Sequence, residues 1–171
     1  MSAKWNWNKC FTYPKSKRQV LEGLRHYDVV DGLLPSVTTI LSDTKSEEKL
    51  ASLQRWREGV GQDEATRITD QSGQRGTIMH NYLEGYLKGQ NRLDLSPVGV
   101  TAGGMATKVM EEGVFDKLTE IWGSEVVLFY PGLYAGQTDV VGIYEGEQSI
   151  VDFKQSNKPK KREWIDDYFM Q

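Results

Sequence analysis

The stretch Tyr134-Ala135-Gly136-Gln137-Thr138-Asp139-Val140-Val141-Gly142-Ile143-Tyr144-Glu145-Gly146-Glu147-Gln148-Ser149-Ile150-Val151-Asp152-Phe153-Lys154 decides the fold. Its first half, Tyr134 to Tyr144, reads as a strand, and Gly146 supplies the positive φ that a tight hairpin needs. With Glu145 and Gly146 as a two-residue loop, Tyr144 faces Glu147, and counting back along both strands sets Asp139 opposite Asp152. Side chains alternate faces along a strand, so Asp152 and Lys154 project together while Val151 and Phe153 point into the opposite layer. A three-residue turn without a bulge would move Asp139 to the other face, so the pairing rests on the turn.

Directly opposed residues have Cβ atoms roughly 4.5–5.5 Å apart, and like charges so placed repel unless something positive lies between them. A divalent cation fits: two aspartates can hold Mg²⁺ through oxygen and leave positions for a phosphate and a nucleophilic water. Lys154 then lies one pleat away. Asp-x-Lys alone is a common accident and usually marks a solvated strand face with a weak ion pair. A second motif upstream adds weight.

That motif is Arg75-Gly76-Thr77-Ile78-Met79-His80-Asn81-Tyr82-Leu83-Glu84-Gly85-Tyr86-Leu87, with Met79, Leu83, Tyr86 and Leu87 on one helical stripe. His80 and Glu84, four apart, are neighbours at the edge of that stripe. His80 can give a nitrogen to a metal whose other ligands are Asp139 and Asp152, with Glu84 orienting the imidazole or a water. The alternative is a His–Glu surface pair.

At 171 residues, 26% charged and 38% hydrophobic, the chain has the composition of one well-buried globular domain. It holds no 18-residue apolar run and no basic-apolar-small leader, which leads to the expectation of an intracellular, cytoplasmic protein with no membrane partner. The lone Cys10 excludes an internal disulfide and a cysteine-held cluster. A net charge of −3 argues against bulk coating of nucleic acid, yet Lys4, Lys9, Lys15, Lys17 and Arg18 stand in the first 21 residues with Trp5, Trp7, Phe11 and Tyr13 and no acid. Residues 1–24 therefore read as a basic, aromatic arm, which either stacks the bases of a single strand or packs its rings on the core. Lys158, Lys160, Lys161 and Arg162 form a second basic cluster.

Between these landmarks, Pro35 or Ser36 opens a short helix whose hydroxyls, Ser36, Thr38 and Thr39, gather at its N-terminus and can hold a phosphate or simply cap it. Thr44-Lys45-Ser46-Glu47 has capping-box spacing and starts a helix to about Val60, and Ala65 to Thr69 suggests a short helical stretch ending before Gly73. Thr101 to Trp122 reads as a longer helix weakened by Gly103, Gly104 and Gly113. Glu125 to Tyr130 reads as a strand beside the hairpin, with Glu125 either joining a metal shell or solvated at the strand's start. Trp164 to Gln171 reads as the beginning of a helix.

The ordered set Pro35-Ser36-Val37-Thr38-Thr39, Arg75-Gly76-Thr77 through His80 and Glu84, Gly136-x-x-Asp139, and Asp152-Phe153-Lys154-Gln155-Ser156-Asn157-Lys158-Pro159 resembles the PD-(D/E)xK nuclease superfamily. More narrowly it is similar to the RecB-type exonuclease branch, and within it to mitochondrial genome-maintenance exonucleases and their bacteriophage relatives. The resemblance implies an α/β fold with a restriction-endonuclease-like core, a mixed central sheet with an antiparallel hairpin flanked by helices, over residues 25–171. It implies Mg²⁺ or Mn²⁺ held by His80, Asp139, Asp152 and the Phe153 backbone carbonyl. Lys154, Asp152, Asp139 and Glu84 would be the catalytic set, and Ser36, Thr38, Arg75, Ser156 and Lys158 would contact DNA, preferentially single-stranded. The family's Pro-Asp is Thr138-Asp139 here. Family members continue through Gln-x-x-x-Tyr on the next helix, whereas this sequence stops at Gln171, so the expectations extend to a truncated C-terminal helix, a homodimer covering Trp164, Ile165 and Phe169, and, as the alternative function, a DNA-binding module without cleavage.

Overall fold

Glu145 and Gly146 take φ of 51° and 86°, the left-handed pair of a two-residue hairpin turn. They fold strand β6 (Tyr134–Tyr144) onto β7 (Glu147–Val151) with Tyr144 against Glu147 and Val140 against Val151. The computed structural model describes residues 5–156, 160–162 and 165–170. Its larger sheet has the order β1-β5-β6-β7, where β1 is Asn6–Trp7 and β5 is Leu118–Tyr130. β1 runs parallel to β5 and the other neighbours are antiparallel, so the sheet is mixed.

Strands β2 (Lys17–Leu21), β3 (Leu24–Val29) and β4 (Gly32–Pro35) form a second, antiparallel sheet. These strands are faint in the sequence because Arg25-His26-Tyr27-Asp28 is mostly polar and carries little apolar signal. Only Tyr27, Val29 and Leu34 of this sheet are buried, and they pack against Val127 and Ala135 of β5 and β6. Among the described residues a parallel bridge, Ser36 to Ala135, joins the two sheets.

Ser36, Ser46 and Ser96 each accept a backbone N–H three residues on, and so open α1 (Val37–Asp43), α2 (Glu47–Val60) and α4 (Pro97–Glu111). The cap of α2 is thus Ser46, two residues after the expected Thr44. Thr44 instead terminates α1, its hydroxyl bonded to the Ile40 carbonyl. Gly61, at φ 87°, separates α2 from α3 (Gln62–Leu87). α3 runs unbroken for 26 residues through Gly73 and Gly76, where a short stretch and a separate helix were expected. Its buried Met79, Leu83 and Leu87 carry it across the helix-weakening glycines, since packing of an apolar face outweighs a cost of about 1 kcal/mol per glycine.

The expected helix from Thr101 to Trp122 is corrected. α4 ends at Glu111, Gly113 takes φ 74°, and a 3₁₀ turn over Val114–Lys117 leads into β5 at Leu118. Leu118, Ile121 and Trp122 are strand residues, and the strand begins seven residues before Glu125. Register shifts between Leu118 and Glu120 and between Ile121 and Gly123 spoil the alternation that would have revealed it.

Helices α3 and α4 cover one face of the larger sheet, and the main core holds Trp5, Met79, Leu83, Leu87, Ala102, Ala106, Phe115, Leu118, Ile121, Val140 and Phe153. Trp5 belongs to it: its ring meets Tyr86 and Phe115 edge-on at 5.2 and 6.0 Å, and Nε1 donates to the Phe115 carbonyl. Phe11 meets Trp122 edge-on at 5.4 Å. Trp5 and Trp7 thus pack on the core, while Phe11 stays exposed. A last short helix, α5 (Asp166–Phe169), follows, while Trp164 and Gln171 lie outside the described residues. No helix among them is long and apolar enough to cross a membrane.

Candidate metal centre

Helix α3 presents Ser72, Gly76, His80 and Glu84 at four-residue spacing, which makes them one ridge along its surface. Opposite this ridge, the hairpin register that pairs Val140 with Val151 leads, one step on, to Asp139 and Asp152. The ladder ends at that step. Instead of pairing across the sheet, Asp139 turns its carboxylate to two neighbours: Oδ1 accepts His80 Nδ1–H at 2.8 Å and Oδ2 accepts the Phe153 backbone N–H at 2.6 Å. Asp139 is 8% exposed, so these two bonds replace much of the water it lost on folding.

On β5, Glu125 takes φ 54°, a conformation uncommon for a residue with a side chain. It stands between Ser124 and Val126, which pair with Val140 and Thr138, and so lies level with Asp139. His80, Glu125 and Asp139 each bring a ligand atom within 4.8 Å of the others. One nitrogen and two carboxylate donors from a helix and two strands suit a divalent cation. Gln137 also donates to Glu125.

Burial and mutual repulsion act on the carboxyls of this cluster. Burial raises the Glu125 carboxyl above the usual carboxylate range, and the Asp139 charge raises it further. Burial likewise raises Asp152, against the opposing pull of the Lys154 ammonium. The bond from Asp139 raises His80 above the usual imidazole value, opposed by burial. Two carboxyls resisting ionisation beside an imidazole held by a third are what a cation at this point would relieve.

Asp152 and Lys154, expected on one strand face, lie just past the end of β7 and form an ion pair with each other. Lys154 also lies 5.9 Å from the Tyr168 ring of α5. Val151 and Phe153 face the core. Asp152 stays outside the three-residue cluster. Glu84 lies one turn beyond His80 but is bound to Lys88 at 2.5 Å and to Arg92 at 3.1 Å. Ser36 is buried, capping α1 and bonded to the Thr38 and Thr39 hydroxyls at 2.8 and 3.0 Å. Arg75 Nε donates to Gln155 Oε1 at 2.7 Å. Ser156 is half-buried at the end of the described run, and Lys158 lies outside the described residues.

The expected ligand set did not include Glu125. The sequence offers Glu125 to a metal shell only as an alternative to solvation at a strand's start, and its position in mid-strand, level with Asp139, follows only from β5 beginning at Leu118. Its positive φ has no sequence signature.

No protein-family model matches the chain. It is similar to mitochondrial genome maintenance exonuclease 1 of Homo sapiens, at 26% identity over 133 residues, and to the protein of the same name from Mus musculus, at 31% over 135 residues. These matches take in 75% and 74% of this chain and 38% of each relative's length. At these identities the chain is a distant relative of proteins named as exonucleases, and it spans well under half of their length.

Proposed function

We propose that this chain is a divalent-metal-dependent nuclease domain hydrolysing DNA phosphodiesters, with single-stranded DNA preferred and exonucleolytic action. The observation that carries the reading is the convergence of His80, Glu125 and Asp139 from α3, β5 and β6 to within 4.8 Å. The distant similarity to proteins named as exonucleases supports the same class.

In this reading His80, Glu125 and Asp139 hold the cation, and Asp152 stands beside them. Mg²⁺ or Mn²⁺ there supplies Lewis-acid polarisation of a phosphoryl oxygen and a bound water of lowered pKa. The chain's own residues do the rest. Asp139 fixes the His80 ring and its tautomer by accepting Nδ1–H, leaving Nε2 as the ring's acceptor atom. Lys154, held close by Asp152, places an ammonium at the edge of the site, where it can orient a water or balance charge on a phosphate.

Labelled single-stranded and duplex oligonucleotides, marked at either end and incubated with Mg²⁺, Mn²⁺ or EDTA, test this. Cleavage should require metal and disappear in Glu125→Gln and Asp152→Ala. Cleavage that survives EDTA or either substitution overturns the assignment.

A further inference from the structure

We infer that Gln155 is a positioning residue, clamping the segment that carries Asp152 and Lys154 onto helix α3. This rests on the nuclease reading above for its catalytic consequence, but the clamp itself is visible in the hydrogen bonds.

The hairpin ladder stops at Val151, so the backbone that bears Asp152 and Lys154 has no strand partner to hold it. Two side-chain contacts replace the ladder. Asp139 takes the Phe153 N–H, and two residues later Gln155 reaches α3, where Nε2 donates to the Ser72 backbone carbonyl and Oε1 accepts Arg75 Nε–H at 2.7 Å. Arginine only donates and a carbonyl only accepts, so the amide fits in one orientation alone. Lys154 is thus bracketed by anchors at the residue before it and the residue after it.

Gly76 makes the fit feasible. A Cβ added there would stand 2.9 Å from Gln155 Nε2, so the amide would have to shift to make room. The bare backbone at Gly76 lets the amide lie flat against the helix, one turn before His80 on the same ridge. Arg75, whose charge would otherwise suggest a phosphate contact, is turned by this bond toward the protein.

Lys154 and Asp152 must be held to fractions of an ångström to act on a phosphate, and a displacement of about 1 Å can cost up to about 100-fold in rate. Releasing the clamp should therefore lower turnover without removing any group that touches substrate.

Two variants test this, Gln155→Ala and Gln155→Glu, the second keeping the acceptor for Arg75 but losing the N–H that Ser72 accepts. Amide exchange by mass spectrometry, read without DNA or metal, should show residues 152–156 exchanging about tenfold faster in both, with the β6–β7 ladder unchanged. In the oligonucleotide assay kcat should fall about tenfold with KM within about twofold, the pattern of lost positioning. Unchanged exchange in 152–156, or unchanged kcat in an active enzyme, overturns the inference. A wild-type protein inert with every metal would instead remove the nuclease reading, while the exchange arm still decides whether the clamp exists.

Discussion

Asp139 accepts the backbone N–H of Phe153 at 2.6 Å, and this one bond carries strand β6 past the end of its ladder with β7. Truncation to alanine leaves that N–H and the His80 Nδ1–H without their acceptor, at about 1–3 kcal/mol. Asp139→Asn can still accept from Phe153, while the His80 ring shifts its proton to Nε2 and accepts from the new amide. Urea denaturation of metal-free protein should therefore show a clear loss for Asp139→Ala and under about 1 kcal/mol for Asp139→Asn. Equal losses would contradict this division of labour. Both variants should fail to cleave.

Glu125 should behave in the opposite sense. Its folded pKa is raised by burial and by Asp139, so its charge opposes folding at pH values above that folded pKa, and the opposition fades as pH falls through it toward the unfolded value. Glu125→Gln resembles the protonated form. It should raise the melting temperature of EDTA-treated protein at pH 7–8 and be neutral near pH 4, by scanning calorimetry. Adding Mg²⁺ or Mn²⁺ at neutral pH should stabilise the wild type and leave the variant nearly unmoved. A variant less stable than wild type without metal at pH 8 sinks this account.

Two glycines of α4 predict opposite effects of the same substitution. A Cβ at Gly99 would run into the carboxyl and backbone carbonyl of Asp94, while one at Gly104 meets nothing within 4 Å. Gly104→Ala should therefore stabilise by about 1 kcal/mol, the helix-propensity gain, whereas Gly99→Ala should destabilise despite that gain. Thermal melts of the two variants, differing in sign, are the expected result.

Trp5 tests whether the N-terminal segment belongs to the fold. Buried to 8% exposure and bonded to the Phe115 carbonyl, it should cost about 3–5 kcal/mol as Trp5→Ala. Exposed Phe11, changed to alanine, should cost much less. A Trp5→Ala protein as stable as wild type would mean that the segment does not pack on the core.

The hairpin was legible because its turn chemistry is local: Glu145-Gly146 sets the register, and the register sets which residues share a face. The α3 motif was legible through its stripe, Met79, Leu83 and Leu87. What escaped depends on long-range pairing. The β2–β4 sheet buries few residues and so leaves a faint pattern, and β5 carries two register shifts that disguise its first half as the tail of a helix. Glu125 therefore looks like the start of a strand, although it lies level with Asp139 in mid-strand. Gln155 gave no signal, since nothing in its neighbours on the chain points to Ser72 and Arg75, 83 and 80 residues away.

The ridge Ser72, Gly76, His80 and Glu84 makes α3 a measuring rod. Its rise of about 1.5 Å per residue sets roughly 12 Å between the point where the helix grips Gln155 and the point where it meets Asp139. One residue inserted between Gly76 and His80 would turn the two halves of the ridge by about 100° against each other. The apolar stripe could slip to absorb that turn. The clamp and the histidine could not then face the sheet together, so the spacing of these residues along α3, as much as their chemistry, is what the site depends on.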